Sequence, residues 1–330
     1  MFKYIVKRLI MSLFILIGVS LIIYFLIRLM PVDFIQSKID AISRGGATIS
    51  NEVRDNMYKM YGLGDNSFKG ILMGYVSWLG ALFRLDLGTS FVYGLPVSQV
   101  IFDSMGVSFA VALIATIFEF MIAIPLGITA ATHQYSIRDY VVTILVMIGI
   151  SLPSFFFGQM LKDVLALKLG WFPHSGLIEA GASFSGVALL MDYVRHMFIP
   201  ILTIVILSVG ARMRMTRTNM LEVMNSDYIR TARAKGLKEK VVINKHAFRN
   251  TLIPLVTSLA GLLPSLFSGA LITEQVFDLP GIGNKALYAM NSGDIPFIMG
   301  YNMFLAVLSV LGVLLADLMY GIVDPRVKLE

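Results

Sequence analysis

LIMSLFILIGVSLIIYFLI, residues 9–27, is an unbroken apolar run of 19 residues. About 20 such residues are enough for a helix to cross the hydrocarbon core of a bilayer. A cleaved secretory signal is the alternative interpretation of this segment. The run is longer than a signal core, however, and Arg28 and Pro31 follow it where a small-residue cleavage site would be needed. The segment therefore predicts a retained transmembrane helix.

Five further apolar stretches have the same character, at residues 105–131, 140–161, 197–215, 252–273 and 297–322. Because lipid offers backbone groups no hydrogen-bond partners, each of these spans should be helical. The composition agrees, since 57% of residues are hydrophobic and only 15% are charged, against about a quarter charged in a soluble domain. We expect an all-α integral membrane protein with six transmembrane helices and both termini on one side.

The placement of basic residues predicts which side that is. Residues 212–249 hold ten Lys/Arg against three acids, whereas residues 31–103 hold six against seven. Basic loops remain cytoplasmic, so the termini and the loop at 212–250 should lie inside. The expected organisation is a tail and first helix at 1–30, an extracytoplasmic subdomain at 31–103, and a five-helix membrane domain at 104–330.

Glu119 is the acidic residue placed well inside a predicted span. A buried carboxylate in a membrane is costly, which makes it a candidate for function. It could contact a cationic group of a transported substrate. It could instead be protonated or bonded to a neighbouring helix, and this structural interpretation is the better supported of the two.

Catalytic and cofactor motifs are missing from the sequence. There is no Gly-Lys pair for a phosphate-binding loop, no His-Glu-x-x-His zinc motif and no Gly-x-Ser-x-Gly elbow, and the chain has no cysteine. The run Gly62-Leu63-Gly64-Asp65 has the Gly-x-Gly-Asp form of intramembrane aspartyl proteases. That chemistry needs two carboxylates in one site, and no span offers the second. We expect no catalytic residue, cofactor or metal in this chain, so any ATP must be bound by another subunit.

The basic loop contains a short helix-forming segment, NSDYIRTARAKG at residues 225–236. Ser226 or Asp227 can cap its start, and Gly236 can end it in a left-handed conformation. A helix of about nine residues is marginal alone, so it should be held by packing. A second helical stretch should follow at residues 238–248.

This segment resembles the cytoplasmic signature loop of ABC-transporter permeases of the oligopeptide/dipeptide branch, and other stretches agree with that branch. These stretches are LDLGTS at 85–90, IPLG at 124–127, LGWFP at 169–173, HAFRNTLIP at 246–254, FDLPGIG at 277–283 and DPR at 324–326. Of the broad permease pattern, Ala232 and Gly236 are kept, while Arg230 stands at the glutamate position and Arg249 at the proline position. These departures favour the peptide branch over sugar or amino-acid importers.

The resemblance implies an import machine in a bacterial inner membrane. This chain and a second homologous permease would line one pathway through the lipid, two ATP-binding subunits would dock below, and an extracytoplasmic binding protein would deliver substrate; no nucleic acid is involved. The residues expected to couple to the ATPase are Asp227, Tyr228, Arg230, Thr231, Ala232, Arg233, Lys235 and Gly236. Tyr228, Ala232 and Lys235 share one helical face, and small Ala232 would permit close approach to the ATPase.

Alternative functions remain open at the level of sequence. Relatives in the peptide branch include transporters of other solutes, such as nickel or oligosaccharides. An ion-coupled secondary transporter is a further alternative, which would need buried charges in its spans, and Glu119 alone would have to supply them.

Overall fold

The computed structural model describes residues 2–28, 35–36, 39–40, 44, 50–60 and 67–323. These residues are almost entirely helical, and the β structure among them is one isolated bridge between Thr89 and Pro96. The helices with described bounds are α1 (Phe2–Arg28), α2 (Asn51–Met60), α3 (Phe68–Phe83), α4 (Val97–Thr132), α5 (Ile137–Ser151), α6 (Ser154–Leu161), α7 (Val187–Met224), α8 (Asp227–Ala234), α9 (Glu239–Val241), α10 (Phe248–Ser258), α11 (Leu262–Ser268), α12 (Leu271–Val276), α13 (Ile282–Ser292) and α14 (Ile295–Val323). The all-α prediction is confirmed for this part of the chain.

Four of these helices are long and apolar enough to cross a membrane, at Val6–Ile27, Val97–Thr132, Val187–Met224 and Ile295–Met319. They correspond to the first, second, fourth and sixth predicted spans. The second and fourth are much longer than predicted, with 36 and 38 residues. At about 1.5 Å per residue each exceeds the roughly 30 Å hydrocarbon core, so part of each must extend beyond it.

The third predicted span is bent rather than continuous. Its two halves, Ile137–Ser151 and Ser154–Lys168, meet at an angle of 100° and count as one broken span or as a re-entrant loop. The break has a local cause, because Leu152 is extended (φ −90°, ψ 132°) and precedes Pro153. A residue before proline is driven out of the helical region.

The fifth predicted span, at residues 252–273, is divided into pieces. Helix α10 ends at Ser258, a 3₁₀ turn follows at Leu259–Gly261, and α11 begins at Leu262. Gly269 then ends α11 with φ +72°, a conformation that glycine adopts without the steric cost of a side chain. The span is helical, as predicted, but in separate pieces rather than as one helix.

The described chain divides into two compact units. The first contains Gly106–Asn284 and, of the described residues, 309–323. Within it, small residues let α4, α5 and α7 approach closely. A Cβ at Gly127 would come within 2.8 Å of the Met213 carbonyl oxygen, and one at Gly149 equally close to that of Ile206.

The second unit contains Phe2–Met105 and Lys285–Leu308. Asp294, which is fully buried, organises its loop at residues 85–96. The carboxylate accepts hydrogen bonds from the Ser90 hydroxyl (2.5 Å) and from the main-chain amides of Phe91 (3.0 Å) and Val92 (3.1 Å). The LDLGTS stretch therefore has a structural function here, since its serine connects the loop to the start of α14.

Candidate coupling site and buried charge pairs

Helix α8 forms where the sequence predicts a short helix, over Asp227–Ala234. Ser226 has the extended conformation of an N-cap (φ −76°, ψ 153°), but its side chain makes no capping bond. Its hydroxyl donates instead to the Val223 carbonyl, at 2.5 Å. Asp227 lies in the first turn, where its negative charge interacts favourably with the helix dipole. The start of the helix is as predicted, whereas side-chain capping by Ser226 is wrong.

The end of α8 is a left-handed turn at Gly236. This residue has φ +75°, and its amide donates to the Arg233 carbonyl at 2.9 Å. A Cβ at Gly236 would meet nothing within 4 Å. The requirement for glycine therefore comes from the backbone conformation alone, since left-handed geometry costs other residues free energy.

The inner face of α8 packs against the permease's own helices. Ile229 is 0% exposed and Ala232 6% exposed. Both lie in one cluster with Met220 of α7, Val242 and Ala247. The expected placement of Ala232 on an outward, ATPase-facing surface is therefore not found, because its methyl group packs inward. Ala232 and Ile229 instead fix α8 to the rest of the chain.

The outer face of α8 is polar and exposed. It presents the remaining predicted coupling residues, which are Asp227, Tyr228, Arg230, Thr231, Arg233 and Lys235. The Thr231 hydroxyl donates to the Asp227 carbonyl within the helix, at 2.9 Å. Arg230 lies 3.7 Å from Asp227 with both side chains largely in solvent, so this pair adds little stability.

Arg233 joins α8 to the next helical segment. Its guanidinium donates to both carboxylate oxygens of Glu239, at 2.7 and 3.2 Å. The hydrogen bond from Arg233 lowers the pKa of Glu239, and the same bond raises the pKa of Arg233. The helical stretch predicted at 238–248 is present as α9 followed by a π-helical turn, Val242–Ala247. Its buried residues Val242 and Ala247 complete the cluster beneath α8.

Glu119 is paired with Arg212, an interaction between α4 and α7. The Arg212 Nε lies 3.0 Å from the Glu119 carboxylate, and the side chains are 19% and 12% exposed. The same guanidinium donates to the Ser258 hydroxyl at the end of α10 (2.9 Å) and lies over the Phe120 ring. Of the alternatives left open by the sequence, the structure favours bonding to a neighbouring helix. Sequence reasoning had counted Arg212 only as a charge of the cytoplasmic loop.

A second buried pair, between Asp139 and Arg217, was missed from the sequence. Both nitrogens of the Arg217 fork donate to the Asp139 carboxylate, at 2.9 and 2.8 Å. Asp139 is 4% exposed and lies in the first turn of α5, so the pair holds α5 to the end of α7. Asp139 follows Ser136, whose hydroxyl caps α5. That local role made the acid look like an ordinary first-turn residue.

A large groove between α4 and α7 has an apolar lining. Its volume is about 780 Å³, and Tyr193 alone among its lining residues has a polar side chain. The Gly-x-Gly-Asp and Asp-Pro-Arg stretches at 62–65 and 324–326 lie outside the described residues.

The fold of the described residues combines long apolar helices with the short, exposed helix α8. It is similar to a chain in an inward-facing structure of the MetNI methionine ABC transporter, with a TM-score of 0.51. The similarity covers 69% of this chain and 97% of that one at 16% sequence identity, which establishes likeness of fold.

Residues 123–329 match the family described as "Binding-protein-dependent transport system inner membrane component", and this chain belongs to that family. The oligopeptide transport system permease protein AppB of Bacillus subtilis is 37% identical over 329 residues, covering 99% of this chain and all of that protein. The dipeptide transport system permease protein DppB of Escherichia coli is 30% identical, covering 99% of each chain. The resemblance to the peptide branch of ABC permeases is thereby confirmed.

Proposed function

We propose that this chain is one permease subunit of an ATP-driven importer of oligopeptides or dipeptides. It would form half of the translocation pathway, while separate subunits bind and hydrolyse ATP. Similarity along nearly the whole chain to an oligopeptide and a dipeptide permease supports this cargo. Peptides share backbone groups but differ in side chains, so a roomy pathway with few charged contacts suits them.

The observation that carries the proposal is the two-sided character of α8. One face is packed on the chain's own core through Ile229 and Ala232, and the other offers Tyr228 and the basic side chains of Arg230 and Lys235 to a partner. A movement of the partner surface would be transmitted through that packed face to α7 and α10. This is what a coupling element between an ATPase and membrane helices needs.

The proposed topology has six spans with both termini in the cytoplasm. The bent segment at 137–168 and the divided segment at 248–276 would each cross the membrane beside the four continuous helices. The basic loop at 212–250 supports the orientation, since positive loops remain inside. With no cysteine in the chain, a single cysteine near Lys238 should be shielded from an impermeant reagent in intact cells. One near Asn51 should react, and the reverse pattern would overturn the orientation.

The proposed partners are a second homologous permease, two ATP-binding subunits and an extracytoplasmic binding protein. Each ligand state would bias the complex toward an inward- or outward-open arrangement, because only differential affinity shifts such an equilibrium. A permease for another solute, such as nickel or an oligosaccharide, is the principal alternative. Ion-coupled secondary transport has less support, because Glu119 is already paired with Arg212.

Site-directed crosslinking tests the coupling helix. Cysteines introduced at Arg230 or Lys235, on the exposed face, should crosslink to an ATPase subunit in the assembled complex. Ala232→Cys is the matched control, since it lies on the same helix but its side chain is buried, and it should not crosslink. Crosslinks from Ala232→Cys, or none from any exposed position of α8, would refute the docking geometry.

Uptake of a labelled peptide tests the cargo. Proteoliposomes containing the permease pair, the ATPases and the binding protein should accumulate the peptide only with ATP. ATP-independent uptake would eliminate the importer proposal. Competition by a nickel chelate or an oligosaccharide, without competition by unlabelled peptides, would replace the cargo while leaving the class of transporter intact.

A further inference from the structure

Glu274, in the short helix α12, is a buried acid that belongs neither to the coupling helix α8 nor to the Glu119–Arg212 pair. It is 1% exposed. Its carboxylate accepts hydrogen bonds from the Ser108 hydroxyl of α4 (2.7 Å) and from the main-chain amides of Ala270 and Asn284 (both 3.0 Å). All three donors are uncharged. The side chain therefore joins both ends of the segment 269–284, here called the 269–284 hairpin, to α4.

Three glycines surround this carboxylate. A Cβ at Gly269 would come within 2.7 Å of a Glu274 oxygen and 2.5 Å of the Gly283 amide. A Cβ at Gly283 would lie 2.9 Å from the other carboxylate oxygen, and one at Gly281 would collide with it. Such close approach of backbone is possible only without side chains. The FDLPGIG stretch is thus shaped around Glu274.

The rest of the hairpin is fixed on several sides. Phe277 and Leu279 are buried in one cluster with residues of α4 and α7. The Lys162 ammonium donates to the Val276 carbonyl at 2.8 Å, and the Gly176 amide donates to the Phe277 carbonyl at 2.9 Å. Because Glu274 is also bonded to Ser108 and the cluster includes Val111, both of α4, the hairpin is expected to move as one body with α4.

Helix α11, immediately before the hairpin, is built differently. It has seven residues between the 3₁₀ turn Leu259–Gly261 and the left-handed Gly269. Helix α10, on the other side of that turn, is held by the Arg212 bond to Ser258. The Phe267 ring of α11 stacks on Phe109 of α4, with centroids 4.8 Å apart. Breaks of this kind absorb the backbone changes of a hinge.

We propose that Glu274 is a positioning residue for transport, which holds the 269–284 hairpin on α4 so that α11 is the part of the divided fifth span that moves. The pivots are the 3₁₀ turn before α11 and Gly269 after it. This inference rests on the proposed importer function, because only in an importer would the movement of α11 be a step of transport.

The hydrogen-bond network requires an acceptor-only group at position 274. A carboxylate offers only lone pairs, whereas the amide of a glutamine has two N–H donors. In Glu274→Gln, that NH₂ group would face main-chain amides that are themselves donors. The substitution therefore preserves size but leaves buried donors unsatisfied, which is costly.

Thiol labelling of the assembled complex tests the proposal, since the native permease has no cysteine. Ser265→Cys reports on the exposed side of α11, and Thr273→Cys, 7% exposed in the native chain, reports on the hairpin. Labelling rates are compared in the nucleotide-free complex and after trapping with ATP and vanadate. We expect the rate at position 265 to change between the two states and the rate at position 273 to stay low in both.

Adding Glu274→Gln should then raise the labelling rate at position 273 by about tenfold, the effect of losing one buried hydrogen bond on a local opening equilibrium. Glu52→Gln is the matched control, because it makes the same chemical change at an exposed position and should leave the rate unchanged. Equal state-dependence at positions 265 and 273 would overturn the proposal. So would an unchanged rate at position 273 in Glu274→Gln.

These measurements need no transported substrate. If the labelling pattern is as expected while peptides are not taken up, the cargo is wrong and the positioning function of Glu274 stands. If peptides are taken up with ATP while both probes respond alike, the importer stands and the hinge assignment fails.

Discussion

Replacing Glu119 with glutamine is expected to destabilise the protein through Arg212, rather than by removing a substrate contact. The ion pair joins α4 to α7 at 3.0 Å, with side chains only 12% and 19% exposed. Glu119→Gln leaves the guanidinium without its counter-charge among apolar helices. A guanidinium cannot lose its proton in a protein, so this charge has no way to be neutralised.

The magnitude follows from this burial. Removing one partner of a fully buried ion pair costs about 3–5 kcal/mol. Since both side chains retain some access to solvent, and Arg212 keeps its bond to Ser258, we expect about 2–3 kcal/mol for Glu119→Gln. Arg212→Met should cost less, about 1–2 kcal/mol, because the remaining carboxyl can bind a proton and lose its charge. The double variant should lie within about 1 kcal/mol of the native chain.

Equilibrium unfolding in mixed micelles, with the two single variants and the double variant, measures the coupling as a double-mutant cycle. The expected interaction free energy is about 2–5 kcal/mol, well above the roughly 0.5 kcal/mol within which independent sites add. Additive effects would refute the assignment of a stabilising pair. If Glu119 contacts substrate instead, Glu119→Gln should weaken uptake of cationic peptides selectively, and Arg212→Met should not restore it.

Three further predictions concern the basic loop at 212–250. Ala232→Leu should overfill the cluster beneath α8, which should lower the unfolding free energy by about 1–3 kcal/mol and reduce transport. Tyr228→Ala should instead weaken co-purification of the ATPase without lowering the unfolding free energy. Equal stability of the two variants would contradict the inward placement of Ala232. Gly236→Val should lower the unfolding free energy by about 1–2 kcal/mol, because the backbone at this position is left-handed, and it should slow transport. Asparagine tolerates this conformation better, so Gly236→Asn should retain most of the stability and most of the transport rate. Unchanged stability and transport in Gly236→Val would refute the argument. Arg233 lowers the pKa of Glu239 in the folded state, so the pair stabilises the fold above the ordinary pKa of Glu, and this stability is lost as pH falls through the folded-state pKa. The small difference in unfolding free energy between the native chain and Glu239→Gln should therefore shrink below about pH 4. A difference that grows on acidification would be inconsistent with the pair.

Short, contiguous stretches of the sequence determine several features of this protein. The apolar run at 9–27 and the long apolar stretches that became α4, α7 and α14 are membrane-length helices because hydrocarbon leaves the backbone no alternative to internal hydrogen bonds. Helix α8 begins at Asp227 and turns at Gly236 for equally local reasons. Family membership was also accessible, because its motifs are short runs of neighbouring residues.

Interruptions within spans were harder to predict from the sequence. Pro153 lies at the bend between α5 and α6, but prolines are often tolerated within membrane helices, as Pro125 and Pro200 are in α4 and α7. Only the surrounding helices decide whether a proline kinks a helix or breaks it. The division of the fifth span required knowledge of what holds Ser258 on one side and Glu274 on the other.

The partners of buried groups were decided by tertiary structure alone. Arg212 and Glu119 are 93 residues apart, and Ser108 and Glu274 are 166 apart, so no local pattern indicates that they meet. The same holds for the direction in which Ala232 points. The helical period assigns a residue to a face of α8, but which face packs inward depends on Met220, Val242 and Ala247. Sequence determined the segments and their class, and long-range packing determined which charges are paired and which surface of α8 is left for a partner.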